Sequence, residues 1–190
     1  LYGKKDKHIN IACSRWVMAL VESFSGIRGV YGKDLTESTA VRYAYAYLSF
    51  LKNKIKKNPT IVIGIDTRPS GTKLSDAIMG ILDCSFIDVG IAPTPAIEFA
   101  VRHFNADGGI IITASHNEPY WNGFKFLNND GAVLNEKNMA SVINNSKFFR
   151  DFHKIQDRKI LEKNSETIKK YTDFILSIAG RENVERIKNS

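Results

Sequence analysis

Two hydrophobic periods alternate along this 190-residue chain, and the alternation sets the first expectation. Ala19 to Phe24 reads as a short strand. Thr36 offers a hydroxyl cap to a following helix. After it, Val41, Ala44, Tyr45, Leu48, Leu51 and Ile55 fall on one helical stripe that Pro59 stops. Thr60 to Ile65 is a β-branched, wholly apolar run, the pattern of a strand buried on both faces. Leu74, Ala77, Ile78, Ile81 and Leu82 repeat the helical spacing, and Phe86 to Val89 is a short strand. Ile97, Ala100, Val101 and Phe104 mark a third helix entered through Pro93-Thr94-Pro95. Gly108 to Thr113 is a second buried strand. Phe124 to Leu127 is another, followed by the turn Asn128-Asn129-Asp130-Gly131. Asn135 caps a fourth helix that runs to about Asn145.

Strands alternating with helices predict an α/β fold: a three-layer α/β/α sandwich on a mixed, mostly parallel sheet. Residues 147–163 lose periodicity and become charged, which reads as a linker. Ile168, Tyr171, Ile175 and Ile178 give one more amphipathic helix without strands of its own, the expected start of a second domain over residues 164–190. No internal repeat or low-complexity tract interrupts the pattern.

Composition narrows the class. The chain is 43% hydrophobic and 25% charged with 13 Gly and 5 Pro, which argues against disorder and collagen-like repeats. No apolar run is long enough to cross a bilayer. The net charge of +7 is unevenly placed: residues 1–17 carry +3, residues 147–190 carry +4, and residues 18–146 are balanced. A nucleic-acid binder gathers its positive charge on a working surface, so this distribution argues against that partner and suits a small anion equally well. Cys13 and Cys84 belong to no ligand-spaced set and read as free thiols of a reducing cytoplasm. Asn10, Ser14 and Arg15 interrupt the apolar stretch near the start, so it does not read as an export signal. Residues 1–17 are expected to be upstream or added sequence lying outside the fold.

Ligands of open α/β sheets gather beyond the carboxyl ends of the parallel strands. That rule selects Ser25-Gly26-Ile27-Arg28-Gly29-Val30-Tyr31-Gly32, Asp66-Thr67-Arg68-Pro69-Ser70-Gly71, and Ala114-Ser115-His116-Asn117 with Asn122-Gly123-Phe124-Lys125 a few residues on. On one shared edge these loops hold a hydroxyl, an imidazole, an amine and two guanidiniums, with glycines that let backbone N–H groups approach an anion. Arg and Lys neutralise phosphate oxygens, and Ser can carry the phosphoryl group. Taken singly, each piece has a plainer reading. A Ser after a strand usually bonds nearby backbone, and Asp66 fits an Asx-turn. His116 alone fits a loop residue, Arg28 among glycines a surface turn, and Lys125 a solvated strand end. His8, His103 and His153 read as surface or packing residues, and Tyr43, Tyr45 and Tyr47 alternate around a helix and form no platform for stacking bases.

Four ordered motifs carry a more specific reading. Thr113-Ala114-Ser115-His116-Asn117 with Asn122-Gly123-Phe124-Lys125 resembles the phosphoserine loop of the α-D-phosphohexomutases, the family of phosphoglucomutase, phosphomannomutase and phosphoglucosamine mutase. Ser25 to Gly29 resembles that family's N-terminal signature and Gly64 to Gly71 its second loop; Gly90 to Pro95 and Asn105 to Gly109 occur at the expected places. The resemblance covers roughly residues 18–180. It implies that residues 18–146 are the first domain, that Ser115 carries a phosphoryl group, and that the reaction moves phosphate between C1 and C6 of a hexose phosphate through a hexose 1,6-bisphosphate. It implies Mg²⁺ on an oxygen of phosphorylated Ser115, acid/base and loop-positioning roles for Lys125 and His116, support of the loop by Asn117, and anion contacts at Arg28, Arg68, Ser25 and Gly26.

The chain departs from the family where Glu118 occupies the position of a proline, with Pro119 next, and where the turn Asp83-Cys84-Ser85 is short. The aspartate-rich metal loop, the sugar-specificity loop and the phosphate loop of the later domains are missing from it. A site poor in carboxylates holds Mg²⁺ weakly, because this ion takes several oxygen ligands. The expectation is therefore a mutase first domain that turns over little or nothing alone. The alternative is a stand-alone anion-binding or interaction domain. A serine hydrolase is disfavoured by the lack of a GxSxG elbow and of a carboxylate placed to orient His116.

Overall fold

The computed structural model describes residues 20–148, 159–180, 183, 185 and 186. The segment expected to lie upstream of the fold, Cys13, His8 and His153 fall outside them. The elements run β1 (Val21–Ser23), β2 (Gly26–Val30), α1 (Glu37–Ile55), β3 (Thr60–Ile65), α2 (Gly71–Ile81), β4 (Ser85–Ile91), α3 (Thr94–His103), β5 (Gly108–Ile112), β6 (Trp121–Leu127), α4 (Glu136–Ser146), β7 (Ile160–Glu162) and α5 (Asn164–Ala179). No helix among the described residues is long and apolar enough to cross a membrane.

One mixed seven-stranded sheet holds the order β1-β2-β6-β5-β3-β4-β7. The half β5-β3-β4-β7 is parallel, and the half β1-β2-β6 joins it through antiparallel pairs. Helices α1, α2 and α4 pack together over one face, where Tyr43, Tyr47, Leu74, Ile78, Met139 and Val142 meet Ile27, Ile63, Ile110, Phe124 and Phe126. Helices α3 and α5 cover the other face, chiefly over β3, β4 and β5, with Leu127 of β6 at the margin. The central strands β3 and β5 are thus buried on both faces, as their apolar runs require.

Local chemistry sets the boundaries. The Thr36 hydroxyl accepts the N–H of Thr39 at 3.3 Å and starts α1, and the Asn135 side chain accepts the N–H of Asn138 at 2.9 Å and starts α4. Helix α1 ends at Lys56, which turns left-handed (φ 54°) three residues before Pro59. Its buried stripe differs from the expected one: Tyr45 is exposed, whereas Tyr43 and Tyr47, one turn apart, are buried. Their hydroxyls both find partners, Tyr43 donating to the exposed Glu22 and Tyr47 to the buried carbonyl of Leu127.

Two further expectations are corrected. The glycine-rich segment after β1 is not a loop: Phe24 and Ser25 form a tight turn, and Gly26–Val30 is a strand, because pairing with β6 supplies the backbone partners that the local pattern does not announce. The stretch expected to be linker to residue 163 contains β7, which extends the sheet in parallel beside β4. Helix α5 then packs on α3 and β4 through Tyr171 and the buried Thr167, and leaves Phe174, Ile175, Leu176 and Ile178 exposed.

Candidate functional site

Ser115 follows β5 directly, at the carboxyl edge of the sheet, and is exposed. Its backbone is left-handed (φ 57°), a conformation that costs a residue with a Cβ about 1 kcal/mol or more. Its N–H donates to the Thr113 hydroxyl at 2.9 Å, and that hydroxyl donates to Asp66 Oδ2 at 2.6 Å. A cavity of about 400 Å³ opens between Asp66, Arg68, Pro69, Ser115 and Asn117.

Asp66 ends β3 and makes the expected Asx-turn, its Oδ1 accepting the Arg68 N–H at 3.0 Å. The Arg68 side chain folds back: Nε–H donates to Asp66 Oδ2 at 3.0 Å, one Nη to the carbonyls of Glu118 (2.6 Å) and Trp121 (3.0 Å), and the other to those of Ser115 (2.9 Å) and Asn117 (2.7 Å). A guanidinium has five N–H donors, and all five are taken by protein acceptors. The expectation that Arg68 contacts an anion meets a side chain whose donors are all engaged within the protein. It lends positive charge to the edge, while its hydrogen bonds go to the loop.

The other cations are placed differently. Arg28 lies in β2 opposite Gly123 of β6. Strand alternation puts Arg28 and Lys125 on the same face of the sheet, the one that α3 and α5 cover chiefly over β3, β4 and β5 and only at Leu127 over β6. Glycines make room for them: a Cβ on Gly123 would stand 3.1 Å from Arg28 Cγ, and one on Gly26 would stand 3.3 Å from Lys125 Cγ. Arg28 reaches the loop, one Nη donating to Asn117 Oδ1 at 3.4 Å. Lys125 faces Glu98 of α3, whose carboxyl burial pushes up and the Lys125 and Arg102 charges partly draw back down. His116 is exposed and makes no side-chain hydrogen bond among the described residues.

The structure therefore brings Ser115, His116, Asn117, Arg28 and Arg68 to one edge, with Lys125 farther along the same face as Arg28. Ser25 and Gly26 do not join that edge. They sit at the far end of β2, where Ser25 shares a 3.0 Å hydrogen bond with Ser23 and Gly26 lies beside Lys125. The sequence motif included Thr113 and Asn122 without a role for either, and it gave no sign of Glu98. Asn122 is fully buried and its Nδ2 donates to the Ser70 hydroxyl at 2.8 Å, which ties the start of β6 to the start of α2. A buried amide after an exposed aromatic pair is the signal that was open to notice there.

Comparison with known proteins follows the same lines. The family model for phosphoglucomutase/phosphomannomutase, alpha/beta/alpha domain I, matches residues 22–149. A phosphoglucomutase/phosphomannomutase of Thermococcus kodakarensis is 43% identical over 166 residues, covering 86% of this chain and 36% of its own length. A phosphoglucosamine mutase of Clostridium botulinum is 38% identical over 161 residues, 80% of this chain and 35% of that protein. Among solved structures, a putative phosphomannomutase from Thermus thermophilus superposes with a TM-score of 0.65 at 27% identity, over 76% of this chain and 33% of that one. The chain thus spans about a third of the length of the relatives it matches.

Proposed function

The chain belongs to the phosphoglucomutase/phosphomannomutase family through its α/β/α domain I, and from that premise we propose that it is the phosphoserine-bearing first domain of a hexose-phosphate mutase. The observation that carries the reading is an exposed serine on a loop that Arg28 reaches at Asn117 and Arg68 holds by its carbonyls, with Lys125 farther along the same face of the sheet.

In the proposed cycle Ser115 rests as a phosphate monoester. A hydroxyl of the bound hexose phosphate attacks the phosphorus. The bond from phosphorus to Ser115 Oγ breaks, a bond to the sugar oxygen forms, and the proton of the sugar hydroxyl moves to a base and then to the Ser115 alkoxide. The resulting hexose 1,6-bisphosphate turns over and returns its other phosphate to Ser115 by the reverse step. Transfer of this kind demands charge neutralisation, in-line geometry and a dry site more than covalent chemistry from the protein. Arg28 neutralises the phosphoryl oxygens, with the fixed charge of Arg68 behind it. Lys125 and His116 are the candidates for handling the proton, and Asn117 links Arg28 to the loop.

Mg²⁺ in this family would stabilise charge on the transferred phosphoryl group. Among the described residues no group of three His, Cys, Asp or Glu is placed to hold a metal ion. The nearest carboxylate, Asp66, has both oxygens engaged by Arg68 and Thr113. The chain's own residues do not make up a Mg²⁺ shell, and no step above runs through the metal. We read α5, with its exposed Phe174, Ile175 and Ile178, as the beginning of the next unit of a longer enzyme.

The test is to treat the longer protein with hexose 1,6-bisphosphate and Mg²⁺ and locate phosphate by peptide mass spectrometry. A single phosphate on Ser115, and loss of mutase turnover in Ser115→Ala, are expected. A Ser115→Ala enzyme with full turnover ends the proposal.

A further inference from the structure

The loop of residues 114–121 has little packing to hold it. Ser115, His116, Glu118, Pro119 and Tyr120 are all exposed. Open space lies on two sides: the 400 Å³ cavity beside Ser115, and a second cavity of about 520 Å³ bounded by Tyr31, Lys73, Pro119 and Tyr120. A left-handed serine on such a loop relaxes unless something over-determines it.

Backbone bonds within the loop and from Tyr31 to Tyr120 help to hold it, but most of its side-chain hydrogen bonds come from one residue. Arg68 is 9% exposed, is held at its own end by Asp66 at 3.0 Å, and donates to four loop carbonyls at 2.6–3.0 Å. Those carbonyls belong to Ser115, Asn117, Glu118 and Trp121, so the guanidinium touches the loop from its serine to its return into β6. Asp66 also reaches the amide side of the serine through Thr113. We infer that Arg68 is a positioning residue: with Asp66 and Thr113 it clamps the peptide units on either side of Ser115, and so fixes where the hydroxyl stands, without itself binding the phosphate.

The clamp is a statement about the loop, and its kinetic consequence alone rests on the function proposed above. Arg68→Lys keeps the charge but offers three tetrahedral donors where the guanidinium made five bonds, four to carbonyls and one to Asp66, so at least two of these acceptors, one or more of them carbonyls, lose their partner. Hydrogen exchange of this chain, followed by mass spectrometry, gives the first readout. The amides of residues 115–121 should exchange on the order of tenfold faster in Arg68→Lys, because bonds to a charged donor are lost, while peptides from β3 and β5 stay protected. Unchanged loop exchange in the variant overturns the clamp. The second readout is the rate of Ser115 phosphorylation by hexose 1,6-bisphosphate in the longer protein. Positioning lowers the maximal rate and leaves the half-saturating concentration alone. A raised half-saturating concentration at unchanged maximal rate identifies Arg68 as a phosphate ligand and overturns the inference. If the wild-type protein takes up no phosphate while loop exchange responds as expected, the clamp stands and the mutase reading fails. Should Arg68→Lys not fold, Asp66→Asn applies the same exchange test by weakening the anchor of an intact guanidinium; a loop no faster than wild type there counts against the clamp.

Discussion

Tyr47 is the sharpest place to test how this sheet is held. Its ring is fully buried and stacks on Phe126 with centroids 4.7 Å apart. Its hydroxyl accepts the N–H of Gly109 at 3.0 Å and donates to the carbonyl of Leu127 at 2.6 Å, two residues that face each other across β5 and β6. Burial pushes the phenol well above its ordinary range, so it remains a donor at any working pH. Tyr47→Phe keeps the ring and removes only this bridge. Each buried backbone group left without its partner costs about 1–3 kcal/mol, so the two together cost about 2–5 kcal/mol. For a chain of this size that is a fall in Tm of roughly 5–15 °C, readable by circular dichroism or calorimetry. Gly108 supplies an internal check, since a Cβ there would stand 1.9 Å from the same hydroxyl oxygen. Gly108→Ala should therefore be severe alone and less than additive with Tyr47→Phe, which removes the clashing atom. A Tm for Tyr47→Phe within about 2 °C of wild type, outside the range worked here, would refute the bridge, and strict additivity would refute the proposed coupling.

Four other predictions use the same tools. A Cβ on Gly123 would stand 2.1 Å from the backbone oxygen of Ile27, which cannot swing aside, so Gly123→Ala should lose about 3 kcal/mol or more and disturb Arg28 with it, by denaturant titration. Gly80 has open space around it, and Gly80→Ala within α2 should instead gain about 0.5–1 kcal/mol. Burial pushes the Cys84 thiol up to about 12. A pKa raised on folding contributes stability that is present below the unfolded value and is lost as pH climbs towards the folded one. In a Cys13→Ser background, stability should therefore decline from about pH 8.5 upward, the decline should flatten in Cys84→Ala, and the native thiol should resist a disulfide reagent at neutral pH until the protein unfolds. Thr36→Ala removes the acceptor for the Thr39 N–H and should cost about 1 kcal/mol by the same titration.

Much of the parallel half was legible because its chemistry is local. Ile61–Ile65 and Gly108–Ile112 carry no polar side chain, and only a strand covered on both faces makes sense of that. The caps Thr36 and Asn135 were legible for the same reason. The antiparallel half was not. Ser25 to Gly29 has the glycines of a loop, and only Trp121–Phe124, about ninety residues away, converts it into a strand. β7 is three exposed residues whose partner in β4 lies about seventy positions earlier, and no local period announces a pairing of that range. Within the site, the motif around Ser115 fixed the serine and its neighbours in advance. The use of Arg68 stayed hidden, since a side chain aimed at carbonyls and one aimed at a phosphate carry the same letter.

The mixed sheet explains why the site stands where it does. A parallel strand in this fold is roofed by helices on both faces, so a side chain from its middle meets the core and not a ligand. An antiparallel pair needs no crossover helix, and β1, β2 and β6 are joined by a turn and by pairing alone. Helices α1 and α4 lie on one side of them, and on the other α3 reaches β6 only at its end, around Leu127. That is why Arg28 and Lys125 can stand half exposed in mid-strand. Ser115 sits at the seam, carried out of the double-roofed half by β5 and returned along the antiparallel half by β6. The loop between those strands has one rigid wall, on the side of Asp66 and Arg68, and one open side, towards Arg28. On the function proposed above, an anion arriving from the open side would meet Arg28 and a serine already held from behind.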